Sequence, residues 1–327
     1  MIKNKSIIIV GAGIGGLATA ALLAKSGYSV TVVEKNKDLG GRARVFKASG
    51  FTFDMGPSWY MMPEVFEKYY DLFGKKSSDF FTLKKLSPLY RVFFGSNEIW
   101  DIDEKFLNNK NKLEEIEKGS YKAIQKYQSL SKKLYRLSLD NFLYTDFSSI
   151  SSWLKLAKGT KHLPLRSLLS LDRLLRLYTK NDRLIQVLSY WAVFLGASPK
   201  KIPGIYSLMS HVESAGVYYP QSGMGALVQS LVSLCKEYGV TFRTDEEAVS
   251  IRFNSDNAVV KTSKQIYLAD RVIANADYQF VEEKLLHKKD RTYDATYWNK
   301  KTVAPSMFIL YLGIKINKKL SYKNLLF

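Results

Sequence analysis

Cysteine is almost missing from this chain. Cys235 stands alone among 327 residues, which excludes an internal disulfide and fits a reducing compartment. It falls in an apolar helical pattern, Leu227 to Tyr238, so a buried small hydrophobe is expected there rather than a nucleophile. Histidine is scarce as well. His162, His211 and His287 are scattered without metal-ligand spacing, and no metal is expected. No apolar run is long enough to cross a bilayer. Acidic charge is in deficit: 30 Asp and Glu against 49 Lys and Arg leave a net charge of +19. Such a field favours anionic partners. No helix-turn-helix, zinc ligand set or RNA-binding fingerprint accompanies it, so a nucleic-acid partner is not expected and an anionic membrane surface is the better reading. The bland alternative is lysine-rich and asparagine-rich usage that reflects genome composition alone. Carboxylate pairs and Ser/His/Asp arrangements are also not legible, so no catalytic acid or base is assigned. The apolar fraction of 46% is ordinary for a globular chain, and the length is enough for two lobes.

What is present is concentrated in the first 57 residues. A β-branched run, Ile7 to Val10, leads into Gly11-Ala12-Gly13-Ile14-Gly15-Gly16. A small-residue helix pattern follows from Leu17 to Ser26, and a second strand, Val30 to Val33, ends on Glu34. This is a βαβ unit carrying the dinucleotide fingerprint in its proper context. Gly11 allows the tight turn, Gly13 lets the backbone approach a pyrophosphate, and Gly16 lets the helix pack close to the strand. The helix N-terminus offers N–H groups and a positive dipole end to the phosphates. Glu34 is placed to accept hydrogen bonds from both ribose hydroxyls. Its charge speaks against a 2′-phosphate, although Lys35 is nearby. The rival reading is a secretory leader, since Met1 to Lys5 is basic and Ser6 to Ala24 is apolar and small. Four glycines there would weaken an apolar helix by about 1 kcal/mol each, and the following strand completes a fold unit that a leader does not need.

The next segments narrow the cofactor. Asp38-Leu39-Gly40-Gly41-Arg42-Ala43 permits a sharp turn near phosphate, with Arg42 able to fork onto phosphate oxygens. Gly50-Phe51-Thr52-Phe53-Asp54-Met55-Gly56-Pro57-Ser58 reads as a short strand and a turn that presents backbone N–H groups to a flat ligand. Together these motifs resemble the FAD-binding amine-oxidase-like flavoproteins. More narrowly they are similar to the bacterial-type phytoene desaturases and their carotenoid-desaturase relatives. The narrower resemblance rests on Asp54 to Tyr60, Pro203 to Met209, Tyr219 to Met224 and Ala269 to Asp277.

The resemblance implies an α/β fold: a Rossmann-like FAD-binding domain with an interleaved α+β substrate domain. It divides the chain into 1–75, first part of the FAD domain; 76–215, a largely helical substrate and membrane-facing domain; 216–280, second part of the FAD domain; and 281–327, the start of a second substrate segment. The implied FAD site comprises Gly11, Gly13, Gly15, Gly16, Glu34, Lys35, Gly41, Arg42, Gly56, Pro57 and Ser58. Val249, whose backbone would hold the adenine, and Asn275 in the loop beside the cofactor complete it. The implied activity is removal of two hydrogens from a carotenoid precursor, with quinone or oxygen as electron acceptor. The substrate is a lipophilic polyene, so the expected location is cytoplasmic and peripheral to a membrane. Tyr60, Met61, Met62, Tyr69, Tyr70, Phe80 and Phe81 either line a tunnel for it or form core. Rivals on the same fold are a carotenoid isomerase or retinoid saturase, an amine oxidase acting on a soluble amine, and an inactive nucleotide-binding fragment. Family members continue past this point with a further glycine-rich stretch. No such motif follows Gly225, so a truncated chain is expected.

Three further expectations concern the middle and end of the chain. Asn111 to Leu139 has helical periodicity. Ser152 to Leu188, read as a helix, places Leu168, Leu171, Leu174, Leu175 and Tyr178 on one face and Arg166, Arg173, Arg176 and Lys180 on the other. That is the pattern of a helix at a lipid interface or of any surface helix packed on a core. Trp153, Lys155, Lys158 and Lys161 lean slightly toward lipid. Ala304 to Ile314 reads as a further strand.

Overall fold

The computed structural model describes residues 5–95, 98–153, 163–315 and 325–326. The expectations placed on Lys155, Lys158, Lys161 and His162 lie outside these residues. The chain forms two compact units: Met1–Lys84 with Tyr219–Val303 and Tyr311–Gly313, and Lys85–Tyr218 with Ala304–Leu310 and Ile314–Phe327.

The first unit begins with β1 (Ser6–Val10), α1 (Ile14–Lys25) and β2 (Ser29–Val33). Ile7, Ile8, Ile9 and Val10 are all buried, as expected of a parallel strand covered on both faces. Burying each such side chain stabilises the fold by about 1.5–3 kcal/mol. A hairpin follows, β3 (Val45–Ala48) and β4 (Phe51–Asp54). Its two-residue turn puts both Ser49 and Gly50 at positive φ, the geometry that matches strand twist. Then comes α2 (Pro63–Asp71), with proline at its first position, where no helix hydrogen bond is lost. Tyr60, Tyr70 and Phe81 are buried, which makes them core.

In the second unit β5 (Tyr90–Phe94) and β6 (Glu98–Ile102) pair antiparallel, with Tyr90, Val92, Trp100 and Ile102 buried on one face. Leu325–Leu326 pairs parallel with β5. Short helices α3 (Glu104–Asn108) and α4 (Lys110–Ile116) precede α5 (Ser120–Ser138). A buried stripe on α5, Ile124, Tyr127, Leu130, Leu134 and Tyr135, follows the helical period. Trp153 is exposed, its ring 5.2 Å from that of Phe147.

The single amphipathic helix expected over Ser152 to Leu188 does not form. Its described part is a 3₁₀ turn (Leu165–Leu168), α6 (Leu171–Arg176) and α7 (Asp182–Ser189). The reason is capping. Ser170 Oγ accepts from the Arg173 N–H, and Asn181 Oδ1 accepts from the N–H groups of Arg183 and Leu184, so each starts a new helix. Leu171, Leu174 and Leu175 are buried, while Leu168 is swung out to solvent. A further helix of this unit is α8 (Leu208–Ala215).

The chain returns to the first unit with α9 (Gly225–Glu237) and β7 (Thr241–Arg243). Three antiparallel strands follow, β8 (Ala248–Phe253), β9 (Ala258–Thr262) and β10 (Ile266–Ala269), and then β11 (Arg271–Ala274). The order of the four-stranded sheet is β11-β1-β2-β7, all parallel. One buried cluster unites Ile8, Val10 and Val33 with Ile251 and Val260 of the antiparallel strands. Cys235 is fully buried on α9, and its thiol points to the Leu17 carbonyl at 3.2 Å; burial pushes the thiol pKa up to about 12. The strand expected over Ala304 to Ile314 is absent. Residues 302–315 have no regular structure, and Phe308 is 90% exposed. Side chains rather than backbone pairing hold the run: the Tyr311 ring packs on Phe46 and Phe53 of the hairpin, and its hydroxyl donates to the Met55 carbonyl at 3.0 Å.

Candidate functional site

Strand register builds the site. Val10 pairs with Val33 on one side and with Ala274 on the other. The residues that follow, Gly11, Glu34 and Asn275, therefore leave the carboxyl ends of three adjacent strands together. The ladder continues one step further through Gly11 N–H to the Val33 carbonyl and Asn275 N–H to the Val10 carbonyl, both 2.8 Å. In open parallel sheets this crevice is where ligands bind.

The glycines there fit a dinucleotide for steric reasons. Gly11 has φ +101°, and a Cβ on it would lie 2.7 Å from the Asn275 carbonyl oxygen. A Cβ on Gly16 would lie 2.1 Å from the Gly11 carbonyl oxygen. At Gly13, by contrast, the nearest atom to an added Cβ is the Asn275 side-chain amide at 3.7 Å, which leaves the space beside the turn open. Gly13 caps α1 with no side-chain hydrogen bond, and no acid occupies the first turn. The N–H groups of that turn are thus left for an anion. Gly15 is exposed and lies beside the Asn275 amide.

The two later motifs close on this loop. Gly13 bridges to Gly40, and the Gly40 N–H donates to the Ala12 carbonyl at 2.8 Å. A Cβ on Gly41 would come within 3.1 Å of the Gly13 Cα, and one on Gly56 within 2.2 Å of the Arg42 carbonyl oxygen. Side chains are therefore excluded at both contacts. Arg42, Gly56, Pro57 and Ser58 are exposed, as is Lys35.

Glu34 is buried and already well used. Its Oε2 accepts from the Ala12 N–H at 2.9 Å, and its Oε1 accepts from the Asn36 N–H and side-chain amide at 2.9 and 2.6 Å. A carboxylate has about four lone-pair sites, so Oε2 retains one for a further donor. The carboxylate thus ties the glycine turn to the end of β2 as well as facing the crevice.

Val249 sits at a β-bulge. Ala248 pairs with Thr262 and Ser250 with Lys261, so Val249 is the extra residue on its strand. It is 49% exposed, and its peptide lies outside the regular residue-for-residue pairing.

Sequence reasoning gave no role to Asp54 beyond its motif. Its carboxylate accepts from the Tyr219 hydroxyl at 2.5 Å and from the Met224 and Gly225 N–H groups at 3.0 and 3.4 Å. It therefore fastens the β3–β4 hairpin to the start of α9. Burial, with the Asp54 carboxylate beside it, pushes the Tyr219 phenol up to about 12. Because the partners are some 165 residues away, no local signal could have shown this. Glu246, also missed, is buried and accepts from the Thr262 and Tyr267 hydroxyls, while its own N–H donates to the Glu34 carbonyl at 2.9 Å.

A parallel sheet with a glycine turn, a buried acid at the second strand and an uncapped helix N-terminus defines a dinucleotide-binding protein. The family follows from comparison with known proteins. Residues 14–290 match the model of the flavin containing amine oxidoreductases, and the chain belongs to that family. Its cofactor is FAD, whose two phosphates and ribose the crevice fits. The chain is similar to a carotenoid 3,4-desaturase of Haloarcula japonica, 39% identical over 96% of this chain and 64% of the relative. It is also similar to a zeta-carotene-forming phytoene desaturase of Myxococcus xanthus, 31% identical over 96% of this chain and 61% of that one. The chain thus spans less than two thirds of the length of these relatives. A crystal structure of a Pyrococcus furiosus protein shares the fold, with a TM-score of 0.60 at 20% identity over 90% of this chain and 64% of that one.

Proposed function

We propose that this chain carries the FAD-binding part of a carotenoid desaturase acting in carotenoid biosynthesis, with phytoene or a related polyene as substrate. The observation that supports it first is the convergence of Gly11, Glu34 and Asn275 at three adjacent strand ends. The polyene substrate rests on the likeness to the Haloarcula and Myxococcus desaturases. The Gly11–Gly16 turn and the first turn of α1 receive the pyrophosphate, with Arg42 as a cationic partner. Glu34 Oε2 takes a ribose hydroxyl, and Lys35 stands beside it. The Val249 peptide faces the adenine. Gly41, Gly56, Pro57, Ser58 and Asn275 border the flavin half.

A bound flavin supplies a two-electron acceptor, so that two hydrogens leave adjacent substrate carbons and a double bond forms. The residues of this chain bind and orient that group; none is assigned as acid or base. Reoxidation falls to a quinone or oxygen. A long hydrocarbon resides in lipid, so the substrate reaches the protein from a membrane surface. No helix among the described residues is long and apolar enough to cross a membrane.

Expression in cells that accumulate phytoene, followed by absorption spectra of the extracted pigments, tests the reading. New long-wavelength polyene bands are the expected result, and their position counts the added double bonds. An unchanged spectrum from a chain that retains FAD would overturn the substrate; a chain purified without flavin would overturn the cofactor assignment.

A further inference from the structure

The second unit contains an open cleft of about 330 Å³ at the start of α5. Lys122 and Lys126 line it from one face of α5, four residues apart, and Arg166 lines it from the 3₁₀ turn Leu165–Leu168. All three cations are exposed, and no acid lines the cleft among the described residues. The nearby carboxylates are committed elsewhere: Glu114 accepts from the Gly119 and Tyr121 N–H groups, and Glu117 from the Lys180 and Asn181 N–H groups and the Thr179 hydroxyl. The Arg166 guanidinium lies 5.7 Å from the Tyr178 ring centre, a cation–π contact that holds it at the cleft. Three like charges on one cleft with no acid in its lining repel one another, and an anion relieves that cost.

The rim says which kind of anion. Leu177 lines the cleft and is 61% exposed. Leu165 and Leu168, in the same turn as Arg166, are 83% and 66% exposed. A site for a soluble phosphate gains nothing from three leucines held in water. A site that meets a bilayer does: the cations take the phosphate and the leucines enter the acyl boundary.

We propose that the Lys122–Lys126–Arg166 cleft, with Leu177 in its lining and Leu165 and Leu168 in the same turn as Arg166, docks the second unit onto anionic phospholipid through a headgroup phosphate. This deepens the membrane-borne part of the function proposed above. It is tested without substrate or turnover, so its failure leaves the desaturase reading standing.

The test is co-sedimentation of the purified chain with vesicles of phosphatidylcholine alone and of equal parts phosphatidylcholine and phosphatidylglycerol, at near-physiological salt. The parent chain binds the anionic vesicles preferentially. The K122Q/K126Q/R166Q variant binds them about a hundredfold more weakly, the sum of three interfacial cations. A control that removes the same charge from exposed sites on the first unit, K261Q/K264Q/K288Q, loses far less. An L165S/L168S variant also weakens binding, and millimolar inorganic phosphate does not compete. Equal losses in the two charge variants would overturn the proposal in favour of diffuse attraction by net charge. Full competition by phosphate, with the leucine variant binding like the parent, would overturn it in favour of a soluble anion.

Discussion

Two carboxylates show how differently one residue type is used. Glu34 is buried yet surrounded by donors, and it ties the glycine turn to the end of β2. Glu34→Ala should weaken FAD binding by on the order of 2–4 kcal/mol through loss of charge-assisted hydrogen bonds. Flavin content after dialysis checks this, and retention equal to the parent would remove Glu34 from the ribose site. Glu213, on α8, has the opposite surroundings. Its Oε1 is buried with no hydrogen-bond partner among the described residues, beside Leu89, Ile102, Val187 and Leu188. Burial pushes its pKa up to about 7, against a smaller lowering by the Tyr90 hydroxyl. The folded state therefore binds the proton more tightly than the unfolded chain. The contribution of this group to stability is fully present below the ordinary carboxyl range and is lost as pH rises through about 7, by about 3 kcal/mol across the window. Glu213→Gln should remove this slope: urea midpoints of variant and parent should agree near pH 5 and separate near pH 8, with the variant the more stable. A parent whose midpoint rises over that range would contradict the assignment.

At the scale of elements, the β3–β4 hairpin depends on a remote clamp. Asp54 joins it to Tyr219 and to the first N–H groups of α9. Asp54→Ala leaves those donors unpaired and should cost about 1–3 kcal/mol in urea unfolding. It should also loosen the Gly56–Ser58 turn, so flavin retention falls together with stability. Asp54→Asn keeps an acceptor oxygen and should recover part of both; identical losses in the two variants would argue against a hydrogen-bonding role. The interrupted helix between Leu165 and Ser189 has a related lesson. Leucine spacing alone suggests one continuous apolar stripe, but Ser170 and Asn181 turn their side chains onto the backbone and restart the helix twice. The break frees Leu165 and Leu168 from the core and brings Arg166 to the cleft.

For the molecule as a whole, the net charge of +19 and the lipid docking proposed for the Lys122–Lys126–Arg166 cleft make a joint prediction. Salt should displace the chain from anionic vesicles, since the Debye length falls from about 8 Å at physiological ionic strength to about 3 Å at 1 M. Sedimentation across a salt series checks this, and salt-independent binding would point to apolar insertion alone. The crevice at the strand ends also draws on distant stretches of the first unit. Its walls come from residues near 11, 34, 41, 56 and 275, joined through a sheet whose last strand, β11, returns beside the first.

How much of this was legible beforehand follows the range of the physics. The βαβ unit, the glycine turn and the acid after β2 were readable because each depends on neighbours within some thirty residues, and periodicity and φ preference act at that range. The Arg42 and Gly56 turns were readable as motifs, but their contact was not. The clamp on Asp54, the bulge at Val249 and the burial of the Glu213 carboxyl were not readable at all, because each is set by partners distant in sequence. By itself the sequence determined the nucleotide fold and its cofactor class, since local backbone chemistry dictates them. Only the tertiary structure decided which side chains were left unpaired, buried or turned outward, because strand pairing and packing assign partners that no local pattern names.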